Sequence, residues 1–461
     1  MSEEKNDIFE AIFNPKSVAV VGASSNVRKG GHRRFVAILE NYKGELYPVN
    51  PKEDEVAGKK AYSSVLDIPD DLDQVIISIP SGGVPEVMEE CVKKGVKVVT
   101  VFTSGFSESG EEGKVLEREI VGIARKGDTR VVGPNCIGVY CPYSGLSFYP
   151  TLPKEEGDIA FISQSGGLAM AFVQTGTLYN LGYSRVISFG NAADLDCTDY
   201  FEYLIGDPKT EIVGAYLEGV KDGRRFTEVT RKLARKKPLI IWKVGRTEVG
   251  ARAISSHTGS LAGEDHIWDG LFKQHGVVRA GSFDEVIDTV TLFKFAPSVG
   301  PRIAIITIGG GAGVATADIC ASMGLEIATF SSHTSEELKK VVPAAGTSVK
   351  NPVDLAATAL NPSAMRRVME LVSEDESVDT IMTLGLPDAT MSLFVRELKR
   401  FKGGKPLIVI APISSESSIK AHKTISKGNI PVYSSEERAA KAISNVVWYN
   451  TKFGKYYEDG S

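Results

Sequence analysis

Several residue types are scarce in this 461-residue chain or are placed where they do little, and each scarcity excludes something. Its five cysteines (Cys91, Cys136, Cys141, Cys197 and Cys320) are scattered and never paired as CxxC, which argues against a disulfide framework and a structural zinc site. The six histidines (His32, His257, His266, His275, His333 and His422) include no H-E-x-x-H pair and form no cluster with cysteine, so no metal site is expected. Positive charge is not in excess: the net charge of -5 gives no support to nucleic-acid or anionic-membrane binding. No apolar run reaches the ~18 residues that cross a bilayer. The opening MSEEKNDIFEAIFNP is acidic and lacks the basic region and apolar run of a signal peptide, so a cytoplasmic protein is expected. Also missing are a Walker A sequence, a G-x-S-x-G elbow and the G-x-G-x-x-G spacing of a dinucleotide site.

What the sequence does contain is one pattern begun three times. A short apolar run leads to a Gly- or Ser-rich turn and then to an amphipathic stretch. The starts are Ser17 to Ala23, Asp158 to Ile162 and Arg302 to Ile308. Further apolar runs follow each, such as Gln74 to Ile79, Ile212 to Leu217, Leu239 to Val244 and Leu407 to Ala411. Apolar runs alternating with helical periods predict parallel sheets covered on both faces. The fold class expected is therefore α/β with three doubly wound domains, over residues 1–145, 150–297 and 301–461. The Pro-punctuated stretch Cys141 to Pro153 reads as a linker.

Ligands of open parallel sheets bind at the carboxyl ends of strands, where helix N-termini present free N–H groups. Each domain has a turn of this kind. The first, Gly22-Ala23-Ser24 through Arg28-Lys29, combines small residues with two cations, and Lys52 follows the next strand. It suits a ligand with several phosphates, or it is an ordinary turn with solvated basic residues. The second is Ser163-Gln164-Ser165-Gly166-Gly167, and the third is Gly309-Gly310-Gly311-Ala312-Gly313. Small residues admit an oxyanion close to the backbone, though they also serve simple turn geometry.

His257 stands among Ile254-Ser255-Ser256-His257-Thr258-Gly259, read as a loop after the strand ending at Val244. A nucleophilic imidazole needs an approachable nitrogen and a partner fixing its tautomer. Glu218, at the carboxyl end of the run Ile212 to Leu217, is the candidate partner. The alternative is a surface histidine near a helix N-terminus and a solvated carboxylate. His333 repeats the Ser-His-Thr triplet but lacks the glycines, and it reads as part of a helix cap.

These segments, with Gly133-Pro134-Asn135-Cys136 and Asn351-Pro352-Val353-Asp354, occur in an order that resembles the α subunits of ADP-forming acyl-CoA synthetases, typified by archaeal ADP-forming acetyl-CoA synthetase, within the succinyl-CoA synthetase superfamily. The resemblance spans the whole chain. It implies a Rossmann-like CoA-binding domain followed by two flavodoxin-like domains, of which the first carries a phosphohistidine. It further implies that Gly22, Ala23, Ser24, Arg28, Lys29, Lys52, Ile79, Pro80 and Asn135 contact CoA. Ser165, Gly166, Gly167, Gly310 and Gly311 would bind phosphate, with His257 and Glu218 catalytic and a histidine loop that swings on Gly259 and Gly263. The implied reaction converts acyl-CoA, ADP and phosphate to carboxylic acid, CoA and ATP. ADP or ATP with Mg2+ would sit on a separate ATP-grasp β subunit in an α2β2 heterotetramer. The competing reading is a non-catalytic CoA-sensing or regulatory module, in which the active histidine tends to be absent.

Overall fold

A computed structural model describes residues 3–258, 263–342, 347–356, 358, 361–384 and 391–454. Three main sheets form where the three apolar starts lie. The first contains β1 (Ser17–Val21), β2 (Glu45–Val49), β3 (Gln74–Ile77), β4 (Val98–Val101) and β5 (Arg130–Val132), all parallel, in the order β2-β1-β3-β4-β5. β1 is buried along its whole length because helices cover both faces, which is why it reads as an unbroken apolar run.

The second sheet contains β6 (Gly138–Tyr140), β7 (Glu156–Ser163), β8 (Tyr183–Ser188), β9 (Ile212–Leu217), β10 (Leu239–Lys243) and β11 (Val278–Arg279). Its order is β11-β10-β9-β7-β8-β6, parallel except for the edge strand β6, which runs antiparallel to β8. The segment read as a linker is thus preceded by a strand that already belongs to this sheet. The third sheet contains β12 (Arg302–Thr307), β13 (Glu326–Ile327), β14 (Val353–Asp354), β15 (Thr380–Leu384), β16 (Leu407–Ile410) and β17 (Val432–Tyr433). Its order is β13-β12-β15-β16-β17, with β14 paired to the end of β12. The fold is α/β, with Rossmann-like and flavodoxin-like parallel sheets.

In each sheet the strand order reverses beside the first strand. Such a switch point opens a crevice at the carboxyl ends of two neighbouring strands. In the first sheet these ends are Gly22 and Ser78-Ile79, and in the second they are Gln164-Ser165 and Glu218.

The chain divides into two compact units, Met1–Gln174 with Gly182–Gly281, and Thr175–Leu181 with Ser282–Ser461. The first unit holds the first two sheets. In the second unit the helix Phe283–Phe295 packs against the helix Glu436–Phe453. Arg438 joins them by a bidentate pair, donating from Nε and Nη2 to the two carboxylate oxygens of Asp288 at 2.7 and 2.8 Å. Asp288 is 2% exposed, and burial outweighs the guanidinium to push its carboxyl up to about 6. No described helix is long and apolar enough to cross a membrane.

Candidate functional site

The switch point of the first sheet is built by close backbone approach. Gly22 has φ +87°, and a Cβ there would lie 2.4 Å from the carbonyl oxygen of Ser78, so the position requires glycine. Ala23 and Ser24 are buried. Ser24 Oγ donates to Glu53 at 2.7 Å, and the Ser25 N–H donates to the other Glu53 oxygen at 2.7 Å. These bonds hold Glu53 below its ordinary carboxylate value. The Ser24 hydroxyl thereby shapes the turn. Arg28 and Lys29 are exposed just before the helix Gly30–Leu39, as is Lys52 after β2.

At the second sheet, Ser165 opens the helix Gly166–Gly176, its Oγ accepting from the Leu168 N–H at 3.3 Å. A Cβ on Gly166 would lie 2.8 Å from a methyl of Ile137, so the helix start presses against the segment entering β6. Gly167 is exposed. Gln164 turns inward: its Oε1 accepts from the backbone N–H of Glu218 and from that of Gly219, the latter at 3.1 Å. Glu218 is 4% exposed and accepts from Tyr216 Oη at 3.2 Å. Burial first, and then the Glu218 carboxylate, push the Tyr216 hydroxyl up, so it remains a donor. A buried carboxylate is thereby fixed one residue beyond the strand end, as the sheet topology requires.

The two crevices share one cavity of about 580 Å3 within the first unit. Ile79 and Asn135 line it from the first sheet, and Ser165, Gly166 and Gly167 from the second. Five of the residues singled out in the sequence are thus brought together, while Pro80, Lys52, Arg28 and Lys29 stand outside this lining. Gln164, Thr103, Ser104, Gly190 and Asn191 also line it and were not anticipated. Asn135 has φ +55°, and its Nδ2 donates to Asn191 Oδ1 at 3.4 Å. Gly190 has φ +52°, and a Cβ there would lie 2.2 Å from the Pro134 carbonyl oxygen. That contact shows why the Gly133-Pro134-Asn135 segment needs a glycine some 50 residues on, a requirement visible only in three dimensions. Cys136 also lines the cavity, but burial pushes its thiol up to about 12, and it is no nucleophile at neutral pH.

Residues Glu248–Thr258 form a helix, so His257 stands near a helix C-terminus and not in the loop expected. The reason is local: Glu248, Ala251, Arg252 and Ala253 favour helix, and Ser255 and Ser256 do not stop it. The His257 side chain and Gly259 lie outside the described residues, while Gly263 has φ +71°. His333 lies in the helix Ser332–Val341, whose cap is Ser331, accepting from the Thr334 N–H at 3.2 Å.

The third glycine turn starts the helix Gly310–Ser322 in the second unit, with Gly310 and Gly311 exposed. A carboxylate stands at that helix start: a Cβ on Gly310 would lie 3.3 Å from Asp354 Oδ2. Asn351 stitches the neighbouring backbone, donating to Ile303 O and Ala328 O at 2.8 Å each. Among the described residues no group of three or more His, Cys, Asp or Glu is placed to hold a metal ion.

The CoA binding domain family matches residues 16–142, and the succinyl-CoA ligase like flavodoxin domain family matches residues 156–293. The α subunit of acetate–CoA ligase [ADP-forming] I of Pyrococcus furiosus is 41% identical, over 97% of this chain and 99% of its own length. The α subunit of the organism's acetate–CoA ligase [ADP-forming] II is 40% identical, over 95% of this chain and 97% of its own. In structure the chain is similar to acetyl-coenzyme A synthetase 1 of Ca. Korarchaeum cryptofilum, solved with phosphate and ADP, at a TM-score of 0.87 and 34% identity over 99% of both chains. These likenesses run the full length of the chain and include both families that build the cavity, and the chain belongs to the family of ADP-forming acetate–CoA ligase α subunits.

Proposed function

We propose that the chain is the histidine-carrying subunit of an ADP-forming acyl-CoA synthetase that acts on acetyl-CoA or a similar thioester. The observation that carries this reading is the shared cavity, where Ile79 and Asn135 of a CoA-binding fold face the Ser165-Gly166-Gly167 helix start, with buried Glu218 held behind it through Gln164. Phosphate attacks the thioester carbonyl and the C–S bond breaks, giving an acyl phosphate and CoA. His257 then takes the phosphoryl group, releasing the carboxylate, and the phosphohistidine passes it to ADP to form ATP.

Within this reading Gly22, Ala23, Ser24, Arg28, Lys29, Lys52, Ile79, Pro80 and Asn135 bind CoA, the three cations meeting its phosphates. At the helix start the N–H groups of Gly166 and Gly167, with the Ser165 hydroxyl, stabilise the transferring phosphoryl, since fixed dipoles aimed at developing charge are the strongest single catalytic device; the Ser165 N–H is taken by Ser163 Oγ at 3.1 Å. Glu218 orients the His257 imidazole. Gly310 and Gly311 open a second phosphate-facing helix, where Asp354 is a carboxylate any phosphate must avoid. The reading assigns residues 1–145 to CoA binding, 150–297 to the phosphohistidine and 301–461 to a second ligase-type domain. ADP and Mg2+ belong to an ATP-grasp β subunit in an α2β2 assembly, and the protein works in the cytoplasm. Full-length similarity to ligase subunits favours this over a CoA sensor.

The test is ATP formation from acetyl-CoA, phosphate and ADP by the chain with its nucleotide-binding partner. Glu218→Gln should lower kcat by roughly a hundredfold and leave CoA affinity unchanged. Tight CoA binding with no turnover in the wild type would favour the sensor.

A further inference from the structure

Asn191 lies on the cavity wall yet is only 8% exposed, because other side chains converge on its amide nitrogen. Nδ2 donates to Glu108 Oε2 at 2.6 Å, to Glu117 Oε2 at 2.9 Å and to Ser107 Oγ at 3.1 Å. Resting on the reading above, we infer that Asn191 is a positioning residue for CoA: it turns the Asn135 carboxamide so that Asn135 Oδ1 accepts the amide N–H of the cysteamine unit beside the thioester.

The orientation follows from acceptor chemistry. An ionised carboxylate only accepts, so the end of an asparagine amide that faces carboxylates must be its NH2. Burial acts to raise the Glu108 carboxyl, but hydrogen bonds from Asn191 and from backbone N–H groups of its own turn outweigh burial and hold it below its ordinary value. Its other oxygen, Oε1, accepts from the Gly105 and Phe106 N–H groups at 2.6 and 3.2 Å, which anchors it to the turn after β4. Glu117 comes from the helix Glu111–Ala124, and its Oε2 also accepts from Ser107 Oγ at 2.7 Å. With Nδ2 committed, Asn191 Oδ1 faces Asn135 and receives its Nδ2 at 3.4 Å. The backbone is held as well: the Asn135 N–H donates to Thr103 O at 2.9 Å, and the Asn191 N–H donates to Pro134 O at 3.0 Å. With its Nδ2 turned to Asn191, Asn135 keeps Oδ1, an acceptor, for a ligand of the cavity it lines.

An amide that donates from its nitrogen becomes a better acceptor at its oxygen, so the chain from Glu108 through Asn191 to Asn135 strengthens the last oxygen in it. A strong acceptor in a ligand cavity selects a donor. The thioester offers none, since its carbonyl oxygen and sulfur carry no hydrogen. The first donor along CoA is the cysteamine amide N–H, an ethylene link away from the sulfur. Anchoring that N–H fixes where the thioester carbonyl stands relative to the Ser165-Gly166-Gly167 helix start, which lines the same cavity. Attack by phosphate requires that positioning.

The experiment measures binding of acetyl-CoA to the full chain by calorimetry, beside an analogue with an ester oxygen in place of the cysteamine N–H. Turnover is followed with the nucleotide-binding partner present. Wild type should bind the analogue roughly tenfold more weakly, the loss expected when a buried acceptor is left without its donor. Asn135→Ala should erase that preference. Asn191→Ala should reduce it to about twofold and have no further effect in the Asn135→Ala background, since residues acting through one another are not additive. Glu108→Gln keeps an oxygen for the Gly105 and Phe106 N–H groups and sets an NH2 against Asn191 Nδ2, so it should also cut the preference, with no change of volume. The phosphate KM should stay within about twofold of wild type in each variant. A wild type that binds both thioesters equally overturns the inference, as does a folded Glu108→Gln with the wild-type preference. Equal weakening of both thioesters by Asn191→Ala marks a structural residue and overturns it too. So does a raised phosphate KM with the preference kept, which would assign the Asn135 oxygen to a phosphate hydroxyl. A wild type that binds no acetyl-CoA overturns the proposed function itself, and this inference with it.

Discussion

The second and third sheets present the same local device with opposite surroundings. In each, the first strand runs into a turn of small residues that opens a helix, Gly166–Gly176 in one and Gly310–Ser322 in the other. At the second sheet the carboxylate delivered by the neighbouring strand end, Glu218, is buried, and Gln164 binds the backbone behind it. Ser165, Gly166 and Gly167 are left facing a cavity. At the third sheet the short strand β14 places the Asp354 carboxylate against the helix start itself. Two glycine turns of like sequence thus offer a phosphate different surroundings. What the adjacent strand end contributes decides whether a carboxylate already stands beside the helix N-terminus.

Variants at three places sharpen that contrast, from the largest effect to the smallest. Arg438→Met in the second unit strands the buried Asp288 carboxylate and should cost about 3–5 kcal/mol of stability, read by denaturant unfolding at pH 7. Its folded-state value of about 6 lies above the ordinary carboxyl value, so the native state holds the proton more tightly and the Asp288 contribution to stability falls as pH rises through that window. Asp288→Asn should flatten that part of the pH–stability curve. Gln164→Ala leaves the buried N–H groups of Glu218 and Gly219 without their acceptor and should cost about 1–3 kcal/mol. It should also lower kcat by roughly tenfold or more through displacement of Glu218. Asp354→Asn should change stability by less than about 1 kcal/mol, since one charge at a helix start contributes little more. If Asp354→Asn proved as damaging to turnover as Gln164→Ala, the contrast between the two turns would fail.

Much of the fold was legible because strands buried on both faces announce themselves as unbroken apolar runs, as Ser17–Val21 and Leu239–Lys243 do. The switch-point logic then placed Gly22, Ile79, Ser165 and Glu218 at strand ends before any coordinates. What escaped depended on partners distant in sequence. Gln164 looks like any turn residue until Glu218, 54 positions on, donates to it. Gly190 acquires its purpose only from the carbonyl of Pro134. β6 was hidden because three residues show no period. The His257 segment was misread because its serines and flanking glycines outweighed the helix formers between Glu248 and Ala253.

The central claim is that His257 carries the phosphoryl group, and intact mass spectrometry tests it most directly. The purified chain is incubated with acetyl-CoA and phosphate, alone and with its partner, alongside His257→Ala and His333→Ala. The account predicts an acid-labile phosphoryl adduct in the wild type and in His333→Ala that is lost in His257→Ala. An adduct that survives in His257→Ala, or a wild type that binds CoA tightly beside an active partner yet never acquires one, would contradict it.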